Sequence, residues 1–231
     1  MTVVVLQPGY LPWLGFFDQM RRADVFVYYD DVQYDTHGWR NRNRIKTQQG
    51  PLWLTVPVRH SGLSKPRILD VAIDGRINWA RKHVASIRQA YAGAAFVKQY
   101  APALEEVLTR SWDRIVDLDL AVTSLMADWL GLRPRVARAS MLGIDGGQTE
   151  RLVNICRYFG ATTYLSGSAA RDYLDVALFE RNRITVEWQD FTHPVYPQLH
   201  GEFVPYMSAL DLILNCGEES RVVLERALPV E

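Results

Sequence analysis

Between Thr2 and Phe17 the chain reads TVVVLQPGYLPWLGFF, an apolar β-branched run that stops at a Gln-Pro step and gives way to prolines, glycines and aromatics. A run of valines with no polar alternation needs cover on both faces, the condition of a strand inside a parallel sheet. Leu14, Phe16, Phe17 and Met20 then recur at helical spacing, and Arg21 and Arg22 fall where cations suit the negative end of the helix dipole. From Asp24 the stretch DVFVYYDDVQY reads as a second buried strand ending in carboxylates. Strand, helix and strand in about thirty residues make a βαβ unit, whose crossover is expected to be right-handed.

The remaining pattern extends this unit. A basic polar segment, DTHGWRNRNRIKTQQG, precedes PLWLTVPV, a third strand candidate, and ILDVAID, a fourth. NWARKHVASIRQAY is helical, and LEEVLTRSWDRIVDLDLAVTSLMADWLGL divides into two helices near Asp113. RVARASML reads as a short strand, TERLVNICRYFG as a helix stopped by Gly160, TTYLSG and RITVEWQDF as strands, and MSALDLILNCG as a helix. Strands alternating with helices imply an α/β fold, a mainly parallel Rossmann-like sheet flanked by helices, with a helical middle and C-terminal portion. The expected unit is a single domain over 1–231, with an α/β core from 1–75 and 135–205 and mostly helical parts at 76–134 and 206–231.

With 231 residues, 48% of them hydrophobic, the chain can bury a substantial core. Lys and Arg total 26 against 26 Asp and Glu, so no global field draws in a long nucleic acid or an anionic bilayer. Cys156 and Cys216 sit in apolar helical surroundings without a CxxC pair, which favours reduced thiols, a cytoplasmic location and no metal site. No apolar run approaches membrane-spanning length and no signal-peptide pattern is present.

Ligands of open parallel sheets bind beyond the carboxyl ends of strands. Gln7 and Pro8 follow the first strand, Asp30, Asp31 and Gln33 the second, and Ser166, Gly167 and Ser168 the TTYL strand, so these clusters are candidates for one pocket; ordinary turns would use the same residue types. Gln7 offers an amide that both donates and accepts, and Tyr10 or Trp13 a stacking wall. In WRNRNRIK, Arg40, Arg42, Arg44 and Lys46 alternate with Asn41, Asn43 and Ile45, which on an extended chain puts the charges on one face; such a row holds phosphate or carboxylate, or simply guards a solvated edge strand. Tyr34 and Trp39 beside it favour a nucleotide or nucleotide-sugar ligand. Of the five histidines, His37, His60, His83, His193 and His200, His193 stands in the structured loop DFTHPVYPQLHGEF and is the candidate general base, whereas His83 lies on a helix as a partly packed residue. Cys156 is weighed as an acyl-transfer nucleophile, and its apolar neighbours make it structural. Asp211 reads as an acid near a helix start capped by Ser208.

LQPGYLPWLGFFDQMRRADVFVYYDDVQY, WRNRNRIKTQQGPLWLTVPV, INWARKHVASIRQAY, TTYLSGSAARDYL and FVPYMSALDLILNCG, in this order over nearly the whole chain, resemble the WbqC-like family. The resemblance implies a role in bacterial O-antigen and other surface-polysaccharide or natural-product biosynthesis, and a transferase that acylates or aminoacylates an amino group, such as that of a nucleotide-linked amino sugar. His193 and Asp31 are then the expected catalytic groups, and Arg42, Asn43 and Arg44 part of the substrate site. The donor expected is a thioester on a carrier protein or CoA, or an ATP-derived adenylate, with no tightly bound cofactor. The opening segment, with SGSAAR later in the chain, is also similar to the first βαβ unit of HIGH-motif nucleotidyltransferases and pantothenate synthetase, yet LPWLGFF contains neither histidine of that motif. An ATP-dependent ligase, or a binding module for a sugar nucleotide or carrier protein, is the alternative.

Overall fold

The structure, a computed structural model, describes residues 1–36, 38–59 and 65–226; His37 and His60 lie outside the described residues. In chain order the elements are β1 (Thr2–Leu6), α1 (Leu14–Arg22), β2 (Val25–Tyr28), β3 (Arg42–Thr47), β4 (Gly50–Thr55), β5 (Val58–Arg59), β6 (Ala72–Ile73), α2 (Trp79–Ala90), α3 (Val97–Thr109), α4 (Ile115–Trp129), β7 (Arg135–Arg138), α5 (Gln148–Phe159), β8 (Thr163–Gly167), α6 (Val176–Arg181), β9 (Thr185–Gln189), α7 (Ala209–Cys216) and α8 (Ser220–Glu225).

Five strands form one parallel sheet in the order β7-β2-β1-β8-β9, giving the expected Rossmann-like α/β architecture. Both faces of β1 are covered, which explains the absence of alternation in its sequence. Val4, with Phe26 and Leu165, faces a large core built with α1, α2, α3, α4 and α7, while Val3 and Val5, with Val25 and Val27, face a second core under α5 and α6. Gly160 ends α5 at φ 67°, a left-handed position that costs glycine nothing.

PLWLTVPV supplies β4, the strand expected there, paired antiparallel with β3 in a hairpin separate from the parallel sheet, and one strand expectation differs in the structure. ILDVAID forms a single 3-10 turn, Ile68–Asp70, and the two-residue β6 paired with β5. The amides of Ile68 and Leu69 donate to Val32 O and Asp30 O, so the exit from β2 satisfies this segment's backbone and no ladder is needed. Among the described residues no helix is long and apolar enough to cross a membrane.

Candidate ligand cleft at the strand-order reversal

From β1 the chain adds β2 and β7 on one side, then returns to place β8 and β9 on the other, so the strand order reverses between β1 and β8. Such a reversal opens a crevice, because the connections leaving neighbouring strands depart in opposite directions. Two cavities of about 650 Å³ each lie there and share Leu6, Gln7, Gln19, Arg40, Gly167 and Ala169 in their walls. The first chamber adds an aromatic wall of Trp13, Phe16, Trp39, Phe191 and Tyr206 with Asn43, Ser168, Arg171 and Asp190. The second adds Tyr29, Tyr164 and Tyr173 with Gln148, Thr149 and Ser166.

The turn after β1 is built for close approach. A Cβ on Gly9 would stand 2.9 Å from the Trp39 carbonyl oxygen, the same oxygen that accepts from Tyr10 N. Leu11 adopts φ 46°, a conformation costing a branched residue on the order of 1 kcal/mol or more. Asn43 holds it there, its Nδ2 donating to Tyr10 O at 3.2 Å and Leu11 O at 2.8 Å. Trp13 stands at the start of α1, and its indole lies across Gly15, where a Cβ would come within 2.2 Å of the ring. Trp13 also meets Phe191 edgewise and Tyr206 at a tilt, with centroids 5.2 and 5.8 Å away. The first turn of α1, where the HIGH-type resemblance would seat nucleotide phosphates, is therefore roofed by an indole.

Hydrogen bonds join α1 to the end of β9. Gln19 Nε2 donates to Gln189 Oε1, and Gln189 Nε2 donates to Gly15 O and Asp18 Oδ2, each at 2.8 Å. The Gln19 Oε1 atom is buried without a partner. Arg40 donates Nη1–H to Pro8 O at 2.7 Å, and burial lowers the pKa of its guanidinium against opposing effects of Asp119, Asp35 and Tyr34. Asp119, on α4, is fully buried with neither carboxyl oxygen hydrogen-bonded; desolvation raises its pKa well above the usual carboxylate range, with Arg40 opposing.

Gln7, Trp13, Asn43, Ser166, Gly167 and Ser168, all anticipated from the sequence, line the cleft. Pro8 is buried behind it and contributes its carbonyl to Arg40. Other candidates stand elsewhere. Tyr10 is fully buried in the core, its hydroxyl 2.9 Å from His83 Nδ1, and not a stacking wall. Asp30 accepts from Arg138 Nε and from the amide and hydroxyl of Ser140, and Asp31 is held by both terminal nitrogens of Arg151, so these carboxylates anchor β7 and α5 to the end of β2. Gln33 is exposed and bridges to Arg67, while Tyr34 is buried with its amide on Pro66 O.

The basic row divides. Arg42 lies over the Trp53 ring and Arg44 over Trp39 and Trp53, outside both chambers. Lys46 is buried instead of sharing their face, because its ammonium reaches the carbonyls of Gly201 and Glu202. His193 lines neither chamber: it packs behind the wall against Phe191, Tyr196, Phe203 and Tyr206, with Nδ1 2.9 Å from Pro194 O and Nε2 buried without a partner. Desolvation lowers its pKa. Cys156 is fully buried, and desolvation pushes its thiol up to about 12. Asp211 accepts from Tyr91 OH, Tyr196 OH and Gln198 Nε2 at 2.7, 2.9 and 2.8 Å, a stronger role than an acid near a helix start, and Ser208 caps α7 as expected.

Gln19, Gln148, Thr149, Arg171 and Gln189 are wall or support residues that sequence reasoning missed. Gln19, three residues from Phe16 on α1, had a legible position; no spacing marks Gln189, whose role depends on β9 lying beside β8.

A family model described as the WbqC-like protein family matches residues 7–223. The chain is also similar to a Mycobacterium tuberculosis protein named "Uncharacterized protein Rv1507c", at 38% identity over 220 residues, covering 94% of this chain and 95% of that protein. No solved structure matches it.

Proposed function

Because the chain belongs to the WbqC-like protein family, we propose that it is a transferase forming an amide, moving an acyl or aminoacyl group onto the amine of a small substrate such as a nucleotide-linked amino sugar, in bacterial surface-polysaccharide or natural-product biosynthesis. The observation that carries this reading is the paired cleft. Two chambers of about 650 Å³ meeting at Gln7 and Gly167 suit two substrates whose reacting ends must touch, and each lies within the size range of small-molecule sites. The aromatic wall of the first chamber suits a base or sugar face, while Gln148, Thr149 and Ser166 in the second suit hydroxyl or amide groups.

In this reaction the amine nitrogen attacks the carbonyl carbon of a thioester or adenylate. The C–N bond forms as the C–S or C–O bond breaks, and the electron pair leaves with the thiolate or the phosphate. Gln7 supplies an amide N–H for the oxygen that gains charge. Asp190, the acidic residue of the lining among the described residues, takes the proton that the amine loses. His193 keeps the aromatic wall in place from behind.

Mass spectrometry of reactions pairing amino-sugar nucleotides with acyl-carrier, CoA and ATP-plus-acid donors tests the proposal. An acylated amine is the expected product. Release of AMP or pyrophosphate without acyl transfer would make the chain an ATP-dependent ligase or nucleotidyltransferase, and saturable binding with no product from any pair would make it a binding module.

A further inference from the structure

Arg40 differs from Arg138 and Arg151, two other half-buried arginines near the carboxyl ends of the parallel strands. Arg138 and Arg151 are each neutralised by a carboxylate, Asp30 and Asp31 respectively. Among the described residues Arg40 makes no ion pair; its Nη1 is spent on a neutral carbonyl, that of Pro8, and its Nε is buried with no partner. The nearest acidic influences are Asp119 and Asp35, and Asp119 is sealed in the core, where burial favours its neutral acid form. A guanidinium partly withdrawn from water, with Asp35 acting on it only at a distance beyond an ion pair, gains from a ligand that brings negative charge into contact.

Its position says which ligand. Arg40 belongs to the walls of both chambers, next in sequence to Trp39 of the aromatic wall, and Arg171 adds a second cation to the first chamber against the single carboxylate of Asp190. We infer that Arg40 is the anion anchor of the cleft, holding a phosphoryl group of the substrate where the two chambers meet. A guanidinium N–H gives a phosphate oxygen a charge-assisted hydrogen bond, and aromatic rings beside such a group suit the nucleoside to which a diphosphate is attached. The phosphoryl group comes either from a nucleoside diphosphate or from the phosphopantetheine arm of a thioester donor. It rests on the cleft assigned above, yet equilibrium binding reads the anchor without turnover, so failure of the anchor and failure of the transfer reaction are separable.

Calorimetric titration of the intact chain with inorganic pyrophosphate, UDP, ADP and phosphopantetheine supplies the test. The parent should bind pyrophosphate and one of the two larger classes, which identifies the source. Arg40→Met should weaken that binding by about ten- to a hundredfold, as loss of a charge-assisted hydrogen bond typically does, and Arg40→Lys should fall between the two. Arg110→Met, in a surface ion pair with Glu106, serves as the control and should bind as the parent does. On the parent itself, pyrophosphate should protect Arg40 from phenylglyoxal, read by peptide mass, which requires no variant to fold. An Arg40→Met chain that binds every probe within twofold of the parent, even if it melts lower, would reduce Arg40 to a support of the Pro8 turn and overturn the inference. So would a parent that shows neither binding nor protection with any probe.

Discussion

Mild acid should loosen the turn after β1 through a histidine that never touches the cleft. His83, on α2, stands with Nδ1 2.9 Å from the Tyr10 hydroxyl, and its other nitrogen faces the backbone of Thr55. Neutral imidazole fits this pair: Tyr10 donates and Nδ1 accepts. Burial, partly opposed by the Thr55 hydrogen bond, brings the pKa of His83 down from 6.5 to about 4. Between these values the unfolded chain binds a proton at this residue that the folded chain does not, so stability is complete above the unfolded pKa and declines as pH falls toward the folded one. The shift corresponds to about 3 kcal/mol in full, of which about 2 kcal/mol is lost by about pH 5. For a chain of this size that lowers the melting temperature by about 4–8 °C. Other groups titrate in the same window, so the measurement is a difference: thermal melts of the parent and of His83→Gln across this range. Glutamine leaves Tyr10 an acceptor but takes up no proton. The parent should lose stability more steeply than the variant, and parallel curves would refute the assignment of a buried neutral imidazole.

Other perturbations probe the walls of the cleft. Gly15→Ala must displace the Trp13 indole, so it should lower stability by about 1–3 kcal/mol in denaturant titrations and weaken ligand stacking; an unchanged midpoint would mean the indole does not lie where it is placed. Asp211→Asn presents an amide to donors that already point at the site, at a cost of about 1–3 kcal/mol, and hydrogen exchange should quicken in the 190–206 loop that Tyr196 and Gln198 tie to α7; unaltered exchange would count against this tie. His193→Ala should raise KM and leave the shape of the pH–rate profile intact, whereas loss of one limb of that profile would identify His193 as the base after all. Cys156 should react with thiol reagents only after unfolding, and rapid labelling of the native chain would contradict its burial.

Much of the fold was legible because backbone demands leave a mark in sequence. A strand covered on both faces, such as Thr2–Leu6, must be apolar at every position, and a helix such as Gln148–Phe159 carries both its period and its glycine stop. PLWLTVPV reads as a strand and is one, but its partner, β3, is fixed by tertiary pairing that a single strand's residues do not state. In the cleft, Gln7, Trp13 and the Ser166 to Ser168 turn were legible as strand-end residues. Asp30 and Asp31 had the same local signature and went elsewhere, because Arg138 and Arg151 arrive from β7 and α5, more than a hundred positions along the chain.

The sequence by itself determined the parallel α/β class, the first βαβ unit and the strand ends from which a site would be assembled. These follow from hydrophobic period and from what glycine and proline permit, which are local properties. Only the tertiary structure decided that Arg40 faces both chambers while Arg42 and Arg44 lie on tryptophan rings and Lys46 is buried. It likewise decided that Tyr10 belongs to the core and Trp13 to the cleft. Residues of the same chemistry in one short stretch are sorted by what packs against them, and those partners, Pro8 for Arg40, the Glu202 carbonyl for Lys46 and His83 for Tyr10, come from other parts of the chain.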